Sequence, residues 1–139
     1  MRFLLDTNVI SEPFKRSPDP KVMQWIADQS PLDLYISVLT LGELTMGFEL
    51  VPAGPRHDEL QRWVVQELPP RFVGRLLHVD GSIARAWGRM SAEGRSTGRE
   101  LPAIDGLLLA TAQVHDLVFA TRNERDCATR RVTILNPWA

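Results

Sequence analysis

The sequence predicts an α/β domain built on a mainly parallel central sheet of four to five strands. Short apolar runs alternate along the chain with longer segments whose apolar residues recur at helical spacing. Two of those runs, residues 3–5 and 117–120, end directly in polar, oxygen-bearing side chains. Ligands of an open parallel sheet bind outside the carboxyl ends of its strands, so such endings mark a candidate site edge. A length of 139 residues, 44% hydrophobic and 24% charged, suits one domain over residues 1–139 that buries a core without staples.

Composition narrows the function classes. The formal net charge is −1 and the pI is near 6.3, so nucleic-acid binding needs a local patch rather than a whole-molecule field. The single cysteine, Cys127, excludes an internal disulfide and a cysteine-rich zinc site, and it fits a reducing cytoplasm. The first apolar run is broken at Asp6 and none reaches about 18 residues, so neither a signal peptide nor a membrane span is expected.

Phe3, Leu4 and Leu5 suit a strand buried on both faces. Asp6 ends it, with Thr7 and Asn8 beside it; the plain alternative for Asp6 is to cap a following helix. Residues 9–15 suit a helical turn, broken around Ser17-Pro18-Asp19-Pro20. Residues 21–29 form a helix with Val22, Trp25 and Ile26 at helical spacing behind Pro20. Residues 32–36 are a second strand, and residues 38–50 a helix apolar on several faces, hence buried. Glu43 stands inside that helix with Leu39, Met46, Gly47 and Leu50 one turn away, on a face that should exclude charge. Thr40-Leu41-Gly42-Glu43 also has the form of a capping box, if the helix begins at Thr40; Ser37 is an equally good start.

Residues 56–68 carry Leu60, Trp63, Val64 and Leu68 on one face, with His57 and Asp58 at the surface and Pro69-Pro70 as the stop. Residues 76–79 are a third strand, and Asp80 caps a helix over 82–93 whose buried stripe is Ile83, Ala86, Trp87 and Met90. Arg85 and Arg89 lie one turn apart on another face. Residues 94–100, with Arg95 and Arg99, read as a polar, mobile loop. Pro102 opens a helix over 103–115 that is apolar nearly all round. Asp105 falls in its first turn, where the helix dipole favours a carboxylate. The dipole does not explain why Asp105 shares a face with Leu108, Leu109 and Ala112. Residues 117–120 are a fourth strand, running into Thr121, Asn123 and Asp126, and residues 132–135 are a last short strand.

Asp6, Glu43, Asp105 and the pair Asn123 and Asp126 thus each stand at an element edge or on a buried face. Three carboxylates meeting at about 5 Å would repel by roughly 3 kcal/mol per pair at an effective dielectric of about 20. Such a cluster takes up protons or a cation. Oxygen ligands without cysteine or clustered histidine suit Mg²⁺ or Mn²⁺, and such an ion suits phosphodiester hydrolysis.

These pieces together resemble the PIN-domain ribonucleases of the VapC-type toxin group. The matching residues are Leu5-Asp6-Thr7-Asn8-Val9, Ser37 through Glu43 with Leu44 and Gly47, Leu101-Pro102-Ala103-Ile104-Asp105 with Leu109-Ala110-Thr111-Ala112, Ala120-Thr121-Arg122-Asn123, and Leu135-Asn136-Pro137-Trp138. They occur in family order along essentially the whole chain. The resemblance implies a PIN-like three-layer α/β/α fold and a Mg²⁺- or Mn²⁺-dependent endoribonuclease, the toxin of a type II toxin–antitoxin pair. Its catalytic acids are then Asp6, Glu43, Asp105 and Asp126, with Asp6 and Asp105 as metal ligands and Thr7 and Asn123 as supporting polar groups. Either Asn123 or Asp126 can fill the fourth acidic position, and Cys127 stands where the family commonly has Phe. Expected partners are RNA, a cognate antitoxin and a second copy of the chain. Phosphate contacts fall to Arg85, Arg89, Arg95, Arg99 and Arg122.

Three rival readings meet obstacles in the sequence. A haloacid-dehalogenase-type phosphatase needs a carboxylate two residues after its first acid, where this chain has Asn8. A receiver domain needs a late lysine, and the lysines here are Lys15 and Lys21. An inactive PIN-like module that binds RNA or protein is the alternative from another class; the presence of Asp6, Glu43 and Asp105 argues against it.

Overall fold

The computed structural model describes residues 1–127 and 131–139, the side chain of Asp126 excepted. Five strands among the described residues, β1 (Phe3–Leu5), β2 (Leu34–Ser37), β3 (Leu76–Leu77), β4 (Val118–Ala120) and β5 (Ile134–Leu135), form one sheet. All pairings are parallel, in the order β3-β2-β1-β4-β5. Phe3 lies opposite Leu34 on one side and Val118 on the other. Paired along both edges and covered on both faces, β1 holds three consecutive buried residues. The common direction brings Asp6, Ser37 and Thr121 to the same carboxyl edge, each one residue past or at the end of a neighbouring strand.

Alternation in β1 sends Phe3 and Leu5 to one face and Leu4 to the other. Phe3, Leu5 and Ile36 join Leu44, Phe48, Trp63 and Val64 in one core. That core is covered by α1 (Thr7–Ser11), α2 (Pro20–Asp28), α3 (Val38–Glu49) and α4 (Pro55–Arg62). Leu4 and Phe119 join Met90, Leu108, Leu109 and Ala112 in a second core, beneath α6 (Gly81–Thr97) and α7 (Ala103–Val114). Between α4 and β3 lie a π-helical turn, Trp63–Glu67, and the short α5 (Leu68–Arg71). The last helix, α8, spans Glu124–Cys127. The three-layer α/β/α arrangement is the one the sequence predicts.

Several boundaries differ from expectation. Residues 31–33 form a 3₁₀ turn, so the second strand begins at Leu34 and runs to Ser37. The third and fifth strands shrink to Leu76–Leu77 and Ile134–Leu135. Pro69 and Pro70 do not stop the helix: they occupy the first turn of α5, where a missing N–H is harmless. The predicted loop over 94–100 is largely helical, because α6 runs on to Thr97 and ends at Gly98, whose φ of 71° suits a glycine cap. His57 is half-buried rather than a free surface residue, edge-on to the Phe48 ring at 5.6 Å.

Candidate active site

Asp6 has extended backbone, φ −68° and ψ 158°, and its N–H still pairs with Ala120 O at 2.9 Å. Chain direction therefore delivers its carboxylate to the sheet edge while α1 starts beyond it. Oδ1 accepts from Thr7 N at 2.7 Å, so the capping role is real. Oδ2 accepts from the Thr121 hydroxyl at 2.7 Å, so Asp6 does more than cap. Only 6% of Asp6 is exposed. Burial pushes its carboxyl above the ordinary 3.8, the two hydrogen bonds pull it down, and the negative charges of Asp105 and Glu43 push it up again. Asp6 thus feels both of the other acids across the carboxyl edge.

Glu43 reaches this edge because α3 starts at Val38. Ser37 caps it, accepting from Leu39 N at 3.0 Å. The helix does not begin at Thr40, so Glu43 closes no capping box. The expected buried face is also wrong: α3 buries Thr40, Leu44 and Phe48, while Met46 and Leu50 are 61% and 78% exposed. Glu43 lies half-buried beside an open apolar strip. Its Oε1 accepts from the Thr7 hydroxyl at 2.6 Å. Thr40 Oγ1 lies 3.4 Å from the same hydroxyl. One proton serves one strong bond, so Thr7 donates to Glu43 and Thr40 supports from behind.

Asp105 sits half-buried in the first turn of α7, which opens after Pro102. Thr121, buried at the end of β4, holds Asp6 and also accepts from Asn123 N at 3.1 Å. Asn123 is exposed. The side chain of Asp126, the expected fourth acid, lies outside the described residues. Neither Thr121 nor Thr40 is among the site residues that the sequence predicts. Thr121 had a signal, since it follows β4 as Asp6 follows β1; its bond to Asp6 spans 115 positions.

The expected phosphate contacts are dispersed. Arg85, Arg89 and Arg95 lie exposed along α6, and Arg99 follows it. Arg95 Nε pairs with Glu100 at 3.5 Å. The Arg122 guanidinium lies over the Trp138 ring, 5.3 Å from its centroid.

Among the described residues no three His, Cys, Asp or Glu side chains gather into a group that would hold an ion alone. None of the described ion pairs reaches Asp6 or Glu43. A buried carboxylate with negative neighbours therefore stands short of positive charge. The oxygen donors of Asp6 and Asp105 would suit a hard divalent cation that keeps several of its waters. Beside Thr7 and Glu43 runs a groove of about 340 Å³, floored by Leu44, Phe48 and Trp63. Lys15 stands at its rim, tied at 3.0 Å to the buried Glu12. Among the described residues no helix is long and apolar enough to cross a membrane.

The PIN domain family model matches residues 3–132. The chain is 36% identical to Toxin FitB of Neisseria gonorrhoeae over 135 residues, 97% of each protein. It is also 36% identical to the VapC ribonuclease Y4jK of Sinorhizobium fredii, over 97% of this chain and 96% of that one. Among solved structures, FitAcB from Neisseria gonorrhoeae superposes with a TM-score of 0.93 at 35% identity, covering 98% of both chains. A DNA-bound VapBC from Salmonella typhimurium, at 22% identity and a TM-score of 0.78, shares the fold. The chain belongs to the PIN domain family.

Proposed function

We propose that the protein is the ribonuclease toxin of a toxin–antitoxin pair, a single catalytic domain that hydrolyses RNA phosphodiester bonds. The observation that supports this reading is Asp6 at the carboxyl edge, whose pKa is raised first by burial and further by the charges of Asp105 and Glu43. Similarity to a toxin and to a protein named a ribonuclease supports it.

Asp6 and Asp105 are the residues that would hold a divalent ion, and Asp126 is the candidate fourth acid. Bound there, Mg²⁺ or Mn²⁺ supplies positive charge to the phosphoryl oxygens and makes water more acidic. The chain's own groups do the rest. Thr121 and Thr7 N fix the Asp6 carboxylate in one orientation. Thr7 fixes Glu43 through Oε1, leaving Oε2 as the atom that accepts a proton from the attacking water. Asn123, tied to Thr121 through its backbone N–H, is the supporting polar group beside the strand end. The exposed arginines of α6, with Arg99 and Arg122, contact flanking phosphates.

Solved relatives include toxin–antitoxin complexes, which supports an antitoxin as the partner here, with a homodimer as the working unit in the cytoplasm. Purified protein should cut RNA with Mg²⁺ or Mn²⁺ and stop in EDTA; undiminished cutting in chelator would rule the mechanism out.

A further inference from the structure

We propose that Lys15 and Arg56 form a phosphate clamp in the groove beside Thr7 and Glu43, holding an RNA phosphate that flanks the scissile one. The proposal rests on the ribonuclease reading above. Thr7, Ser11 and Glu43 line this groove of about 340 Å³ together with both cations. One site acid and two positive side chains therefore share a single opening.

Both cations are held by one turn of the chain. Glu12–Phe14 form a 3₁₀ turn, closed by Lys15 N donating to Glu12 O at 3.1 Å. The Phe14 ring lies on that of the buried Trp63, with centroids 3.8 Å apart, which anchors the turn to the core. Lys15 Nζ reaches back to the Glu12 carboxylate, 3.3 Å from Oε1 and 3.0 Å from Oε2. Arg56 Nη2 donates to Phe14 O at 2.8 Å. The main-chain bond already closes the turn, so closure gives no reason for the ion pair. Stability gives little more, because only 2% of Glu12 is exposed and desolvating a carboxylate offsets much of its attraction to a lysine. What the pair does supply is an ammonium fixed in place. The Lys15 side chain is still 51% exposed, so its remaining N–H donors can meet a ligand.

The occupant follows from the charge left over. Glu12 offsets Lys15, so the net positive charge comes from Arg56. Arg56 bonds a neutral carbonyl, and its contact with the exposed Glu59 is 3.8 Å, too long and too solvated to neutralise it. A guanidinium with spare donors beside a fixed ammonium suits the oxygens of a phosphate. A substrate phosphate that comes to the acids meets like charge, and its neighbour along the chain falls into the groove that Glu43 lines. Cations there offset the repulsion where it arises.

Two variants test the clamp. Arg56→Gln removes an exposed cation. Lys15→Gln alone would strand a buried carboxylate, so Glu12→Gln with Lys15→Gln removes the ion pair together and leaves the net charge unchanged. Binding of a labelled single-stranded oligoribonucleotide is followed by fluorescence anisotropy across a range of salt, in an uncut Asp6→Asn background. Each variant should weaken binding roughly tenfold. Combined, they should lower the slope of log affinity against log salt by about 0.7, as for one phosphate contact on a single strand. A loss in the charge-neutral double variant marks a placed ammonium rather than overall charge. If that variant fails to fold, Arg56→Gln decides. Unchanged affinity and slope overturn the clamp. So does unchanged RNA affinity with loss of a co-purifying antitoxin, which would give the cations to that partner. If the wild-type protein cuts RNA and the variants bind and cut identically, the clamp falls and the ribonuclease reading stands. If nothing is cut yet the variants bind RNA more weakly, the clamp stands and the reaction falls.

Discussion

Asp6 receives two hydrogen bonds and faces two negative neighbours, and burial outweighs the bonds. Its folded pKa is raised, and the sign of the consequence follows from proton counts. Below the ordinary 3.8 both folded and unfolded chains hold the proton and nothing is lost. As pH rises from there through the folded value, the unfolded chain releases its proton first, so the metal-free fold loses stability and stays weakened above that window. Metal-free wild-type protein should therefore melt lower at neutral pH than near pH 4 by more than Asp6→Asn does; equal pH slopes would mean the carboxylate is not strained. Asp105→Asn removes one repelling charge. It should raise the neutral-pH melting temperature of the metal-free protein by about 2–5 °C and abolish cutting. A lower melting temperature would instead assign Asp105 to the helix dipole. Asp6 and Asp105 were legible in the sequence because each breaks a local pattern, a strand end or an apolar helix face. Thr121 was legible only in part: its place after β4 matches that of Asp6 after β1, but its bond to a residue 115 positions away leaves no local trace.

Elements were legible where their signals were local and misplaced where packing decided. Asp80 does cap α6, accepting from Ile83 N at 3.0 Å, yet the helix outruns its predicted end by four residues. Gly94 looked like a stop, but it is buried within the helix, and the stop is Gly98. In α3 the misreading had more weight. Apolar residues on several faces predict burial all round, yet Met46 and Leu50 are exposed. Periodicity cannot distinguish a core face from a face awaiting a partner. The motif after β5 gains a physical role at this scale. Asn136 Nδ2 donates to Glu124 Oε1 at 3.3 Å and Trp138 lies under Arg122, so the chain end braces the segment that carries Thr121 and Asn123. Trp138→Ala should lower kcat several-fold, with Trp138→Phe restoring most of it, because cation–π support needs a ring face. Equal activity in both variants would reduce the brace to simple packing.

For the molecule as a whole, net charge is −1, and at the carboxyl edge Asp6 feels the negative charges of Asp105 and Glu43, so on the proposed ribonuclease reading RNA phosphates would meet like charge there. The same field makes the cleft a receptor for an arginine, whose guanidinium pairs bidentately with a carboxylate. The groove beside Thr7 and Glu43 is lined by Leu44, Phe48 and Trp63, and outside that lining Met46 and Leu50 stand exposed on and just past α3. An antitoxin tail fits both halves: apolar residues laid along the groove for affinity, and a basic side chain set among Asp6, Glu43 and Asp105 to displace or block the ion. On the proposed reading such a tail would be disordered alone and would fold on docking. Replacing the tail's arginine with alanine should then restore cutting even where the complex still forms, because the apolar contacts survive while the acids are released. Met46→Asp should act the other way, weakening association while leaving the free protein's cutting intact, since Met46 packs on nothing the site needs. Full inhibition by an antitoxin lacking its tail would place the block elsewhere and leave the exposed strip of α3 without this occupant.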